Sequence, residues 1–465
     1  MKPTFRITRL VLMAAASAVA LSACTMTPRY EQPKLPVAVN WPVAATTASE
    51  QSADSLPWRE VFLDPRLQRV IGRALDNNRD LSISVLNIEK ARASYGATRS
   101  SLAPTIAGSV TETRTHTEAS NTDTDSFNAA LGISAYELDL FGRVRSLTGA
   151  ARETYLSTTE AKRTTQISLI AETASAWITL GADQDLLRLA RETLATREQD
   201  YQLSKRRFDL GAMSEINLRS LEVLTETARG DVARYEAQVN QDRNALVLLS
   251  GAEVPDADLP SGLPDDNAIL ANLPAGLPSD VLIRRPDVLS AEHNIKVANG
   301  NIGAARAAFF PSISLTASTG STSGDLDGLF KSGTGSWSFV PSISVPIFAG
   351  GANRANLKGA EASRDIAVAT YEKTVQTAFR EVADALAVRA TIDRRLDAAD
   401  KAAKAADISL TLVQARYTSG IDSLLDQLDA ERTAYSSEQS LISIRQARST
   451  NLITLYKVLG GGTGN

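Results

Sequence analysis

The chain has 465 residues, with 49 Lys and Arg against 53 Asp and Glu, 43% hydrophobic residues, one Cys and two His. One cysteine excludes a disulfide framework and a multi-Cys zinc site. His116 and His293 stand too far apart in sequence for a helical metal-binding pair, and a net charge of −4 gives no electrostatic footprint for nucleic acid. Beyond the N-terminus no apolar run reaches the roughly 18 residues of a membrane-spanning helix.

Lys2, Arg6 and Arg9 precede the apolar stretch Leu10 to Ala20, the pattern of a secretory signal over residues 1–23. Leu21-Ser22-Ala23-Cys24 resembles the bacterial lipobox, in which the Cys carries N-acyl and S-diacylglycerol chains and becomes the first residue. An ordinary small-residue cleavage site would share the pattern, but the only Cys of the chain stands at this position. Two or more acyl chains anchor a protein stably where one is marginal. Thr25 rather than Asp follows, as in lipoproteins forwarded to the outer membrane. Loss of residues 1–23 removes three cations and no anion, which leaves the mature chain near −7. Residues 24–64, with five prolines between 28 and 57, read as an extended tether.

The body is a duplicated unit. Asp80 to Ile106 and Asp287 to Ile313 align without gaps, sharing Asn87/Asn294, Ile88/Ile295, Gly96/Gly303, Arg99/Arg306 and Pro104/Pro311. Further on, Phe141 matches Phe348, Arg207-Phe208 and Gly211 match Arg416-Tyr417 and Gly420, and Leu249 matches Leu459. The repeats span 65–251 and 287–461, joined by a linker at 252–286 that holds six prolines and a short helix at 279–284, with a tail at 462–465.

Each repeat reads as helix, strand, strand, long helix, returning helix. The pre-strand helix of the first copy covers 79–101. In 312–319 and 337–347 the odd positions are mostly apolar and the even ones mostly Ser, Thr or Val, and Phe127, Ala129, Leu131, Ile133 and Ala135 continue the pattern; 105–114 is weaker. Such two-faced strands fit a soluble sheet on a core or an outer-membrane barrel. Connections at 115–126 and 320–335 have loop composition. Trp337 suits an aromatic girdle or a packed strand.

No proline falls in 143–208 or 350–417, each long enough for a helix of about 100 Å. Leu218, Leu221, Thr225, Ala228, Val232, Tyr235, Val239, Asp242, Leu246 and Leu249 keep the three-and-four spacing of a coiled coil. The reversals carry Gly211 and Gly420, with Ser214 and Asp422 as expected caps of the returning helices. A returning helix of this length covers about half of its partner, so the pre-strand helix should stack on its end. Four strands cannot close a membrane barrel, which needs at least eight, so a membrane sheet here requires oligomers of two, three or more copies.

These residues resemble the TolC-type outer-membrane channels, specifically the lipoprotein channels of multidrug efflux pumps. The resemblance rests on Leu21 to Cys24, Tyr136 to Arg145, Arg284 to Asp287, Gly303 to Ile313, Tyr371 to Phe379 and Arg416 to Asp422. It implies an α+β membrane protein: a homotrimer with a 12-strand β-barrel continuous with a 12-helix coiled-coil periplasmic tunnel, in the outer membrane of a Gram-negative bacterium. It further implies a periplasmic adaptor, an inner-membrane transporter and outer-membrane lipid as partners, and a passive exit route for drugs and other small molecules. No enzymatic site, metal or cofactor is expected: no phosphate loop follows a strand and no Gly-x-Ser-x-Gly elbow occurs.

By resemblance, Arg207, Phe208, Gly211, Arg416 and Gly420 belong to the reversals that form the periplasmic tip. Asp426 and Asp429 ring the constriction, Leu425 narrows it, and Arg416 and Tyr417 help hold it shut. Asp422, Asp426 and Asp429 share one helical face; from the residues alone this is equally an acidic first turn at a helix N-terminus, and Tyr417 equally a core position. Some relatives carry a basic residue where Asp422 stands. Two other readings remain open, a protein-secretion exit duct and a lipid-anchored coiled-coil scaffold without a pore.

Overall fold

A computed structural model describes residues 25–42, 56–119, 121–264, 268–270 and 281–461. The signal segment, Cys24 and most of 271–284 lie outside the described residues. Helices are α1 (Pro65–Asn77), α2 (Arg79–Ser100), α3 (Arg143–Asp209), α4 (Glu215–Ser250), α5 (Pro286–Ala307), α6 (Ala352–Thr418) and α7 (Leu424–Val458). Strands are β1 (Ile106–Thr117), β2 (Thr122–Leu138), β3 (Ser312–Ser323) and β4 (Gly335–Ser344). The chain divides into two compact units, one made of residues 25–34, 86–160 and 289–373 and the other of the remaining described segments, so each draws on both repeats.

The first unit holds one antiparallel sheet in the order β1-β2-β3-β4, whose outer edges are unpaired among the described residues. Cross-strand partners share a face, so Ile106 and Ile133, Val110 and Ala129, and Ala317 and Phe339 point the same way. Ile106, Val110, Leu131, Trp337 and Phe339 on this face are all exposed. Towards the β1–β2 turn the same face becomes charged, with Arg114 on Asp125 at 2.6 Å and His116 on Asp123 at 2.7 Å. The opposite face is polar, with Ser318 and Ser338 hydroxyls 2.8 Å apart and Asn128 donating to Thr322 at 3.0 Å.

Two sequence expectations change here. The loops expected at 115–126 and 320–335 shrink to 118–121 and 324–334, because Thr and Ser are competent strand residues as well as loop formers. Ala135 does not continue the apolar face: it sits at φ +49° in a bulge between Ile133 and Tyr136. The extra residue switches parity, so even-numbered Tyr136 and Leu138 pair with Leu315 and Ile313. Trp337 is 79% exposed, which decides against a packed strand position within the chain.

The second unit is helical. Its main core gathers Phe62, Leu67, Ile71, Ile170, Trp177, Leu180, Leu246 and Tyr456. The expected tether therefore ends early: Trp58–Val61 forms a helical turn, and Trp58, Val61 and Phe62 are buried in this core. The linker is fixed from the same side. Asp258 accepts from Arg69 at 2.6 Å and Arg73 at 3.3 Å, and Trp177 Nε1 donates to its carbonyl at 3.0 Å. Of the expected helix at 279–284, Ser279 and Asp280 lie outside the described residues, Val281 and Leu282 are helical, and Ile283 and Arg284 form a turn. In α4 the heptad positions Leu218, Leu221, Thr225, Ala228, Tyr235 and Leu246 are buried and most residues between them are exposed.

Helices stack end to end as their lengths require. Asn78 caps the start of α2 by accepting from Leu81 N at 2.9 Å, and its Nδ2 donates to Leu249 O at the end of α4, also at 2.9 Å.

Candidate functional site: the helix reversals

Both long helices end in the same device. At the first reversal Gly211 has φ +71°, Gly211 N donates to Phe208 O and Ala212 N to Arg207 O, each at 2.8 Å. At the second, Gly420 has φ +77°, Gly420 N donates to Tyr417 O and Ile421 N to Arg416 O, each at 2.9 Å. This pairing satisfies the last carbonyls of a helix around one left-handed residue, a conformation that glycine adopts without steric cost. The two returning helices then meet: Leu221 of α4 packs with Leu424 and Leu428 of α7, and Tyr201, Met213, Leu224 and Tyr417 cover the cluster. Tyr417 thus serves as core here.

Ser214 caps α4, accepting from Asn217 N at 3.3 Å. Asp422 does not cap α7. Ser423 does, in a reciprocal box: Asp426 N donates to Ser423 Oγ at 3.3 Å, and Ser423 N donates to Asp426 Oδ2 at 3.0 Å. Asp422 instead forms a fork with Arg416, Nε to Oδ2 and Nη2 to Oδ1 both at 2.8 Å. The competing attraction of a guanidinium six residues upstream draws Asp422 out of the cap, and Ser423 with an acidic residue three positions on takes it.

The carboxylates are therefore unequal. The Arg416 hydrogen bonds hold Asp422 below the usual carboxylate range. Asp426 is also lowered, chiefly by the Ser423 hydroxyl and then by the Ser423 N–H. Asp429 accepts from Arg432 at 2.7 Å, both side chains well exposed. Leu425 is 72% exposed beside it. Of the expected gate residues, Leu425 and Asp429 are exposed, and Asp429 holds neither a cap nor a reversal, only the exposed Arg432 one turn on. Ser423 and Arg432 were legible and missed, the first as Ser-x-x-Asp at a helix start and the second as an i, i+3 partner.

Behind the tip lies a polar seam. Buried Arg197 donates to Leu224 O at 3.0 Å and lies 5.6 Å over the Tyr435 ring, whose hydroxyl donates to Asp231 at 3.0 Å. Gln427 donates to Glu431 at 2.9 Å, and burial pushes the Glu431 carboxyl up. A cleft of about 460 Å³ opens here between α3, α6 and α7, lined by Arg188, Glu192, Arg197, Asp407, Glu431 and Tyr435 among others. Farther along α3, Asp183 is pushed up to about 7, first by burial and then by the adjoining Asp242 of α4. Among the described residues no cluster of three or more His, Cys, Asp or Glu could hold a metal ion.

A sheet with one apolar and one polar face, bare edges, and long paired helices ending in matched reversals defines a class of outer-membrane channel. The sequence profile of the outer membrane efflux proteins matches residues 70–252 and 277–461, and the chain belongs to that family. It is 46% identical to the probable efflux pump outer membrane protein TtgC of Pseudomonas putida, across 98% of this chain and 96% of the relative. It is 41% identical to the outer membrane protein OprJ of Pseudomonas aeruginosa, across 99% and 96%. The open state of the Neisseria gonorrhoeae MtrE outer membrane channel superposes with a TM-score of 0.88 at 43% identity, over 94% of this chain and 98% of that one.

Proposed function

We propose that three copies of the chain form a 12-strand outer-membrane barrel continuous with a 12-helix periplasmic tunnel, the passive exit of a tripartite efflux system. An inner-membrane transporter and a periplasmic adaptor deliver drugs and other small molecules to it, and the chain carries out no chemical step itself. The observation that carries this reading is the four-stranded sheet with unpaired edges. Four strands leave backbone groups that lipid cannot satisfy, and 12 close a barrel. An apolar outer face and a Ser/Thr-rich inner face fit lipid on one side and water on the other.

Residues 65–251 and 287–461 each contribute one channel repeat, with 252–286 as an equatorial belt. Cys24, N-acylated and S-diacylglyceryl-modified, anchors the N-terminus in the outer membrane. At the tip, Asp429 and Leu425 of each copy, with Asp426, surround the axis, and the Arg416–Asp422 fork keeps each second reversal closed. Rings of carboxylates favour cations.

The test is reconstitution of the detergent-purified protein in planar bilayers. Discrete conductance steps from a trimer support the channel. A trimer without any conductance, together with full release from membranes when Cys24→Ala removes the acyl chains, would establish the scaffold reading instead.

A further inference from the structure

The two hairpins of the sheet treat its apolar face differently. Ala129 pairs with both Val110 and Ser321, so these three stand at one level of that face. From there β1 and β2 run on for about 20 Å, and their face carries the Arg114–Asp125 and His116–Asp123 pairs. β3 and β4 stop near this level, and the loop 324–334 bends back. A Cβ on Gly328 would stand 2.5 Å from Ser323 Oγ, and the Ser321 hydroxyl donates to Leu329 O. Ser321 and Ser323 share the face of their partners Ala129 and Phe127. The loop therefore lies on the apolar side of the sheet and leaves the Ser/Thr side uncovered.

Its side chains and backbone suit that side. Leu329 is buried, whereas Leu326 and Phe330 are 62% and 82% exposed. The nearest aromatic below them on this face is exposed Trp337, two residues past Gly335, the partner of Ser321. Much of the loop backbone is closed on itself. Asp325 O accepts from Gly328 N at 3.1 Å, Leu326 O from Leu329 N at 3.2 Å, Gly328 O from Lys331 N at 3.0 Å and Thr334 O from Thr322 N at 2.9 Å. Lys331 O takes the Thr334 hydroxyl at 2.8 Å. Water would satisfy such carbonyls unaided, but lipid would not. Asp325, Asp327 and Lys331 set a limit on depth, because charges enter hydrocarbon only at high cost.

We propose that the β3–β4 loop is a lipid hook: Leu326 and Phe330 enter the interfacial zone of the outer leaflet and hold the acyl chains beside the barrel. This rests on the barrel reading, in which the apolar face meets lipid, and adds a contact made by a loop outside the strands. Both hairpin turns lie at the end of the sheet remote from the helices, so with the helices in the periplasm the leaflet is the outer one. Large apolar side chains at an interface bind in proportion to the area they bury, and aromatic rings favour that depth. The hook fixes the height of the barrel in the leaflet, while the charged pairs of the longer β1–β2 hairpin stand among polar headgroups.

Nitroxide labels read depth directly, through collisions with oxygen, which concentrates in lipid, and with a nickel chelate, which stays in water. The full-length protein is reconstituted in vesicles of phosphatidylethanolamine and phosphatidylglycerol with one label at Phe330→Cys, at Trp337→Cys on the apolar face, or at Asn121→Cys in the β1–β2 turn. Cys24, once acylated, takes no label. The Phe330 label should behave like the Trp337 label, open to oxygen and with at least about fivefold fewer nickel collisions than the Asn121 label. Leu326→Cys repeats the reading should the Phe330 variant fail to reconstitute. A Phe330 label as open to nickel as the Asn121 label overturns the hook, and so does one shielded from both oxygen and nickel, which would place the loop against protein. In both cases a shielded Trp337 label spares the barrel, whereas a Trp337 label open to nickel overturns barrel and hook together.

Discussion

Asn78 and Arg285 occupy the same place in the two repeats, and each donates to the end of its returning helix. Asn78 Nδ2 reaches Leu249 O at 2.9 Å, and Arg285 Nη1 reaches Val458 O at 2.8 Å. A helix C-terminus lacks partners for its last carbonyls, and the next helix supplies one across the junction. Arg285 also pairs with Asp287 at 2.7 Å and Glu381 at 2.9 Å, while itself only 9% exposed in its side chain. Replacing it by Met strands two carboxylates and one carbonyl. Arg285→Met should destabilise by about 2–4 kcal/mol and Asn78→Ala by about 1–2 kcal/mol, read from denaturant midpoints of the helical signal. Equal small losses would mean that water replaces both contacts.

The Asp183–Asp242 pair gives stability a pH dependence. Asp183 is raised to about 7 in the fold, so the folded chain holds a proton that the unfolded chain releases near pH 4. Its contribution is complete below pH 4 and is lost as pH rises through about 7. Asp183→Asn should flatten the fall in melting temperature between pH 5 and pH 8. A wild-type curve already flat across that window would contradict the buried, protonated carboxyl.

Three glycines separate three physical situations. Gly181 lies in the core, where an added Cβ would stand 2.6 Å from Gly262 O, and Gly181→Ala should cost about 1–3 kcal/mol through overpacking. Gly211 faces open space but has φ +71°, so Gly211→Ala should cost about 1–2 kcal/mol from backbone strain alone. Gly72 sits within α1 with nothing near it, and Gly72→Ala should stabilise by about 0.5–1 kcal/mol. The order of the three midpoints checks the account.

The fork at the second reversal predicts a titration. Arg416→Ala should return the Asp422 carboxyl upward towards its ordinary range and speed amide exchange at Gly420 and Ile421, measured by hydrogen exchange. Unchanged exchange would show that the glycine turn alone holds the reversal.

Much of this was legible because duplication and periodicity are written at many positions at once. The heptad line from Leu218 to Leu249 reappears as the buried face of α4, and the unbroken windows became α3 and α6 to within about two residues. What the pattern hid was local competition. Asp422 has the composition of a cap, but the nearby Arg416 claims it. Ala135 keeps the alternation, but a one-residue bulge turns it off the face. Trp58 and Phe62 lie among prolines, so their place in the core depends on residues far along the chain, such as Trp177 and Tyr456. Tyr417 fits both a gate and a heptad, and within one chain it packs against the cluster of Leu221, Leu424 and Leu428.

The central claim is that the tip is a carboxylate-lined constriction, and Asp429 tests it most cleanly because, unlike Asp426, it caps no helix. The measurement is single-channel conductance and cation selectivity in planar bilayers for wild type, Asp429→Ala and Asp426→Ala/Asp429→Ala. The account predicts a small, cation-preferring wild-type conductance that grows and loses selectivity with Asp429→Ala, and more so in the double variant. Equal conductance and selectivity in all three would leave the pore standing and remove these residues from its gate.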